Sequence, residues 1–427
     1  MQRPITLTIA VAVLIAGVLL AGAWYILRPG GAPLVEASFS EAVLTPNADG
    51  AGDTLSIHYV LRRQATISIA LVDSAGTRYY FRQDKPRDAG AYDITFGGVV
   101  SPYLLPGEIL SGTVLARVLQ NGAYTWEITA RDTLGAQNTL SGPLTIAEAD
   151  TALPALSAFT ISPPAFSPNQ DGIDDRVTIN VWLDKTIAEG GLRVYLLDPT
   201  GAELAPISEQ VSDIPAGQRG LHAFDYDGGI DQGFEPPANG TYTVRAVAQD
   251  RLGQQMQVES QLTIFDGGLP RAEISLGQVD FSATTLVKGQ VLTFRLVVEN
   301  YGTAPLRTTG PFSGWVYDSM NTNANALGDY EQSGAWRIGL HCESCETDYP
   351  WRWALGTAEN LTLIPDSKGH PQYYLMPGQK VVVTGGLVLD RVIPSLNPQY
   401  FWVGLIHERV EVVNNRVDQE LITIVEP

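Results

Sequence analysis

Basic residues are scarce in this chain: 27 Lys and Arg stand against 46 Asp and Glu, a formal net charge of -19. A phosphate backbone would be repelled rather than neutralised, which excludes nucleic-acid binding as a main activity. Such acidity suits solubility, cation binding or a basic partner. Cysteine is rarer, with two in 427 residues, a single pair at Cys342 and Cys345. The five histidines, His58, His222, His341, His370 and His407, are scattered, and there is no Gly-x-Ser-x-Gly, His-Glu-x-x-His or phosphate-cradling glycine loop. A glycosidase-type carboxylate pair needs no readable motif, but turns explain the acidic pairs here, so the expected function is not enzymatic. An amphipathic helix of useful length is missing as well.

What is present begins with one long apolar run. Ile5 to Leu27 carries no charge and is long enough to cross about 30 Å of hydrocarbon as a helix. Trp24 and Tyr25 stand where an interfacial aromatic belt would. Ala21-Gly22-Ala23 resembles a cleavage site, so residues 1–29 are either a membrane anchor or a signal peptide. Either way, residues 30 to 427 are expected outside the cytoplasm. The anchored form is a single-pass protein with a cytoplasmic N-terminus and the membrane as its first partner.

From residue 35 onward the hydrophobic pattern has period two. Ala65 to Val72, Tyr124 to Ala130 and Tyr242 to Ala248 alternate between a core face and a solvent face. Gly, Asn, Asp and Pro clusters break the pattern at short intervals, which predicts β-sandwiches. The chain also repeats itself. Leu44-Thr-Pro-Asn-Ala-Asp-Gly-Ala-Gly-Asp53 returns as Phe166-Ser-Pro-Asn-Gln-Asp-Gly-Ile-Asp-Asp175, and three later landmarks recur in the same order, among them Asn121-Gly-Ala-Tyr124 and Asn239-Gly-Thr-Tyr242. The repeats are placed at 35–147 and 156–265, joined by short linkers ending in Pro154 and Pro270, and residues 270–427 form a third, dissimilar domain with a Trp-rich insert.

The paired Pro-Asn-x-Asp-Gly-x-x-Asp segments, with Gly-x-Tyr and Ala-x-Asp-x-x-Gly downstream, resemble the Ig-like repeat of flagellar-hook-assembly type. The first copy departs at Thr45 and Gly52 and has Phe96-Gly-Gly98 where such repeats often carry Trp-Asp-Gly. The last domain looks like the cell-adhesion-related bacterial (CARDB-type) Ig-like domain, on Lys288-Gly-Gln290, Glu299-Asn-Tyr-Gly302, Pro377-Gly-Gln379 and Asn414-Asn415. These resemblances imply Ig-like domains serving adhesion, spacing or binding; with the apolar run, the chain is expected to be all-β, three tandem Ig-like β-sandwich domains after one N-terminal transmembrane helix.

Three constellations could carry chemistry. Asn47, Asp49 and Asp53, and their counterparts Asn169, Asp171 and Asp175, place oxygens around a glycine-aided turn, as Ca²⁺ requires. Asp132 and Asp250 are candidate further ligands. The alternative is an Asx-turn network whose oxygens accept backbone N–H groups. Cys342 and Cys345 are expected to form a local disulfide in an oxidising compartment; a zinc site with His341 and either His370 or His407 is the competing reading. Trp336, Tyr349, Trp351 and Trp353 either form a stacking platform for a glycan or protein partner or fill the core. The function expected is a non-catalytic surface protein, an Ig-like stalk presenting a C-terminal binding head. A glycan-binding protein and an accessory subunit of an envelope complex are the alternatives.

Overall fold

The computed structural model describes residues 31–323 and 332–427. The expected membrane-spanning run at 1–29 lies outside these residues, and among them no helix is long and apolar enough to cross a membrane. The described chain is built from β-strands, with short 3₁₀ turns such as Ile230–Gln232 and Pro394–Leu396 between them. The period-two pattern is what forms them. In Leu55–Leu61 the side chains of Leu55, Ile57, Tyr59 and Leu61 are buried while Ser56, His58 and Val60 alternate outward, and Val177–Leu183 buries Val177, Ile179, Val181 and Leu183 in the same way.

By compactness the described residues divide into two units. The first comprises those up to Ala155 together with 185–191 and 248–257. One of its sheets has Leu34–Phe39, Leu55–Leu61 and Gly90–Phe96; another runs Val43–Leu44, Gln137–Ile146, Gly122–Asp132, Ala65–Val72 and Arg78–Arg87. Leu44, Ile57, Tyr59, Ile69, Phe96 and Ile128 belong to a single core drawn from both sheets, a β-sandwich. Residues 185–191 and 248–257 join this unit through polar contacts. Lys185 Nζ donates to the Ala152 carbonyl and to Asp250, each within 2.8 Å, and Gln254 Nε2 donates to the carbonyls of Asp150 and Ala152.

The second unit holds 156–184, 192–247 and 258–427. Its first part orders Leu156–Ser162, Val177–Leu183, Gly220–Tyr226, Glu203–Glu209 and Leu192–Leu197 side by side. The C-terminal part has a sheet of Ala272–Ile274, Val291–Asn300, Lys380–Val388 and Val316–Tyr317. Facing it is a larger sheet centred on Gln399–His407, which lies between Glu411–Val425 and Trp336–Cys342. Phe294, Leu296, Ile338, Trp353, Val383 and Val403 fill the space between the two. The sequence repeat has a counterpart in strand pairing: Val43–Leu44 lies parallel to Thr145–Ile146, and Ala165–Phe166 lies parallel to Thr263–Ile264.

Candidate functional site

Each parallel bridge runs directly into a Pro-Asn-x-Asp-Gly loop. In the first loop the Asp53 carboxylate accepts the N–H groups of Asn47, Ala48 and Gly50 at 2.7 to 3.0 Å. Asn47 Oδ1 accepts the N–H of Asp49, and Asp49 Oδ1 accepts that of Ala51. Partial burial acts upward on the Asp53 carboxyl, but these N–H groups outweigh it and hold the group below the ordinary carboxylate range. This is the Asx-turn network. The oxygens counted as candidate calcium ligands are engaged by backbone donors, and among the described residues no cluster of His, Cys, Asp and Glu has a metal-holding arrangement.

Asp132 and Asp250 are likewise engaged locally. Asp132 accepts the N–H groups of Leu134 and Ala136 and pairs with Arg63 at 2.7 Å. Asp250 accepts those of Leu252 and Gln254 and pairs with Lys185 at 2.7 Å. Asp250 does share a cleft of about 250 Å³ with Asn47 and Ala48, but the Lys185 ammonium occupies it between Asp250 and Asp150. Exchange from EDTA into millimolar Ca²⁺ is therefore expected to move the melting temperature of residues 31–427 by no more than about 1 °C, since a ligand stabilises only by binding the folded state. A larger rise, lost on Asp49→Ala, would favour the metal reading over the turn network.

The second loop repeats most of these bonds, the Asp175 carboxylate taking the Asp171 N–H where Asp53 takes that of Ala48, and it packs into the C-terminal part of its unit. Asn169 and Asp171 are 3% and 4% exposed, where their counterparts face solvent or are half-buried. Arg307 Nε donates to the Asp171 carbonyl at 2.5 Å while its other nitrogens reach Ser333 O and Gln332 Oε1. His407 Nε2 donates to the Gln170 carbonyl at 2.8 Å, and the Tyr374 hydroxyl donates to the Asp171 carboxylate at 3.0 Å. A Cβ on Gly172 would overlap the Ser333 carbonyl, so only glycine permits this approach. Burial raises the Asp171 carboxyl, and burial with the Asp171 charge pushes Asp175 up to about 6, the reverse of Asp53.

Burial also pushes the His407 imidazole, which lies near Arg307 and stacks on Trp336 at 4.3 Å, down to about 4. An unfolded histidine titrates near about 6.5. Between these values the unfolded chain binds a proton that the folded chain does not, so the His407 contribution falls as pH drops through that window. Asp175 works with the opposite sign: its contribution is present below about 3.8 and is lost as pH rises through about 6. It is common to wild type and a His407→Gln variant and cancels between them. Urea unfolding is expected to show a wild-type advantage over His407→Gln that shrinks from about pH 7 to about pH 4.5; a constant gap would contradict it.

The tryptophans named as a platform are interior. Trp336, Trp353 and Tyr349 are at most 1% exposed and Trp351 is 7% exposed, so none of these rings has an open face for stacking a ligand. Trp353 packs edge-on against Phe294 and Tyr317 and donates Nε1 to the Trp315 carbonyl at 2.8 Å. Tyr349 lies against the bare backbones of Gly339 and Gly404 and donates its hydroxyl to Asn415. Strand alternation places Trp351 and Trp353 on one face, as expected, but it is the face turned to the other sheet. Cys342 and Cys345 are disulfide-bonded. The competing zinc set is not assembled: His341 bonds the Cys342 carbonyl and stacks on Trp402, His370 pairs with Asp366, and His407 belongs to the buried joint.

Sequence reasoning missed the buried Arg337–Glu408–Arg352 triad. Glu408, 2% exposed, takes Arg337 Nη1 at 3.0 Å and Arg352 Nη1 at 2.6 Å. The signal that could have found it was an arginine set between apolar residues in two strands, Ala335-Trp-Arg-Ile338 and Trp351-Arg-Trp353. Arg352 and Glu408 border a cleft of about 360 Å³ that also takes in Asp348, Tyr349 and Glu411.

Neither a family model nor a curated protein matches the chain. Among solved structures, it is similar at 12% identity and a TM-score of 0.17 to native E. coli alpha-2-macroglobulin, over 94% of this chain and 23% of that one. A tetra-tandem repeat from the extending region of a large adhesion protein aligns at 12% identity, TM-score 0.17, over 87% of this chain and 81% of its own. A Ca²⁺-stabilised adhesin with which an Antarctic bacterium binds ice aligns at 13% identity, TM-score 0.20, over 92% and 74%. At such TM-scores these likenesses decide nothing about function, which rests on the residues above.

Proposed function

We propose that this is a non-catalytic, membrane-anchored extracytoplasmic protein of structural or adhesive type, in which tandem Ig-like modules form a stalk presenting the C-terminal domain as its head. One observation carries the reading: the most site-like residues of the second repeat, Asn169 to Asp175, are engaged in a buried polar joint with Arg307, Tyr374 and His407. A joint of this kind transmits position and force between modules and withdraws the loop's polar groups from any substrate. The resemblances to hook-assembly-type and CARDB-type repeats agree with it.

The test places the full chain in a supported bilayer and reads the height of a C-terminal fluorophore by distance-dependent quenching. Deleting residues 35–147 should lower the label, and an unrelated β-sandwich of similar length in their place should restore it. An unchanged height on deletion would overturn the stalk. Glycan recognition by the head keeps one supporting observation. Trp315 is 53% exposed although its carbonyl is held by Trp353 Nε1 and by the Gly386 N–H. Trp315→Ala, rather than changes at the buried tryptophans, tests that reading on a glycan array.

A further inference from the structure

The two turn loops are the same folded object in two settings. In each, the Asn accepts the N–H two residues on at 3.0 Å, and the closing Asp accepts the glycine N–H at 2.7 Å in one and 2.6 Å in the other. Ala48 and Gln170 occupy matching positions with φ of 63° and 58°. The second loop is received by a socket that reads almost no side chain. His407 and Arg307 take the backbone carbonyls of Gln170 and Asp171, and Tyr374 takes the Asp171 carboxylate. The first loop has all three acceptors, in Ala48 and Asp49. It is exposed from Ala48 to Gly52, and nothing lies within 4 Å of where a Gly50 Cβ would stand.

We propose that the Ala48–Gly52 loop is a docking element for a separate β-sandwich with a socket like the one that holds the second loop. That partner supplies an arginine guanidinium to the Asp49 carbonyl, an imidazole N–H to the Ala48 carbonyl and a phenolic hydroxyl to the Asp49 carboxylate. Its socket is closed to any side chain at the glycine, as Ser333 closes it to one at Gly172. The opposite settings of Asp53 and Asp175 match a free loop and an engaged one.

The probe is the full chain carrying Gly172→Val, which bars its own second loop from the socket, and Gly50→Ala, which blocks its own first loop. Immobilised, it is titrated with the wild-type chain. Wild type should bind, and Gly50→Ala in the titrant or Arg307→Ala in the probe should weaken binding roughly tenfold or more, the loss of about one good contact. No binding to a probe that circular dichroism shows folded and hydrogen exchange shows open at the socket amides around Gly334 would overturn the proposal. Should that probe not fold, the chain with Gln170→Ala, Ile173→Ala and Asp174→Gly gives the second loop the first loop's sequence. Retained protection at the socket amides around Gly334 supports the proposal, and its loss overturns it.

Discussion

Arg307→Ala is expected to destabilise the second unit by about 3 kcal/mol and to speed amide exchange at the socket around Gly334. Arg307 is 5% exposed, and its guanidinium is shared among the Asp171 carbonyl, the Ser333 carbonyl and Gln332 Oε1. Its removal leaves buried acceptors without a donor, each a cost of about 1 to 3 kcal/mol, and water entering the space recovers part of it. The loop's own Asx network does not involve Arg307, so the loop should keep its turn while losing its seat. Hydrogen exchange separates the two: protection at Ile173, whose N–H bonds Asp171 Oδ1 within the loop, should fall less than protection at the socket amides around Gly334. A variant as stable as wild type, with the loop still protected, would show that packing of Gly172 and Gly334 alone holds the joint.

Glu408→Ala should cost more, about 4 kcal/mol, because it takes the counter-charge from two guanidiniums instead of a donor from several carbonyls. Arg337 is 1% exposed and cannot reach water without breaking the pairing of Trp336–Cys342 with Gln399–His407. Charge rather than shape is the cause, so Arg337→Met combined with Glu408→Leu is expected to be more stable than Glu408→Ala alone, despite two changes. Calorimetry on residues 31–427 would resolve this as a shift in the second unit's transition only. Equal losses for the single and double variants would mean that the triad is held by packing and not by its charges.

Whatever depends on near neighbours along the chain was legible before any coordinates. Side-chain alternation makes the strands: Ile57 and Tyr59 in one repeat, and Ile179 and Val181 in the other, turn inward as their period-two pattern requires. Four landmarks in one order make the repeat, and two cysteines three residues apart lie close enough to pair. The Asx turns belong here too, since the bonds that close Asn47–Asp53 span at most six residues. What those local pieces are used for was settled by contacts between distant parts of the chain. Two nearly identical loops end with one carboxyl below its ordinary range and the other pushed up to about 6 by burial and by the Asp171 charge beside it, and the second loop is also met by Arg307, Tyr374 and His407 from 136 to 237 residues away. The same holds for Trp351 and Trp353: alternation puts both on one face, but only the packing of the opposite sheet makes that face dry. Burial is a property of what arrives from elsewhere in the chain, and no local pattern encodes the arrival.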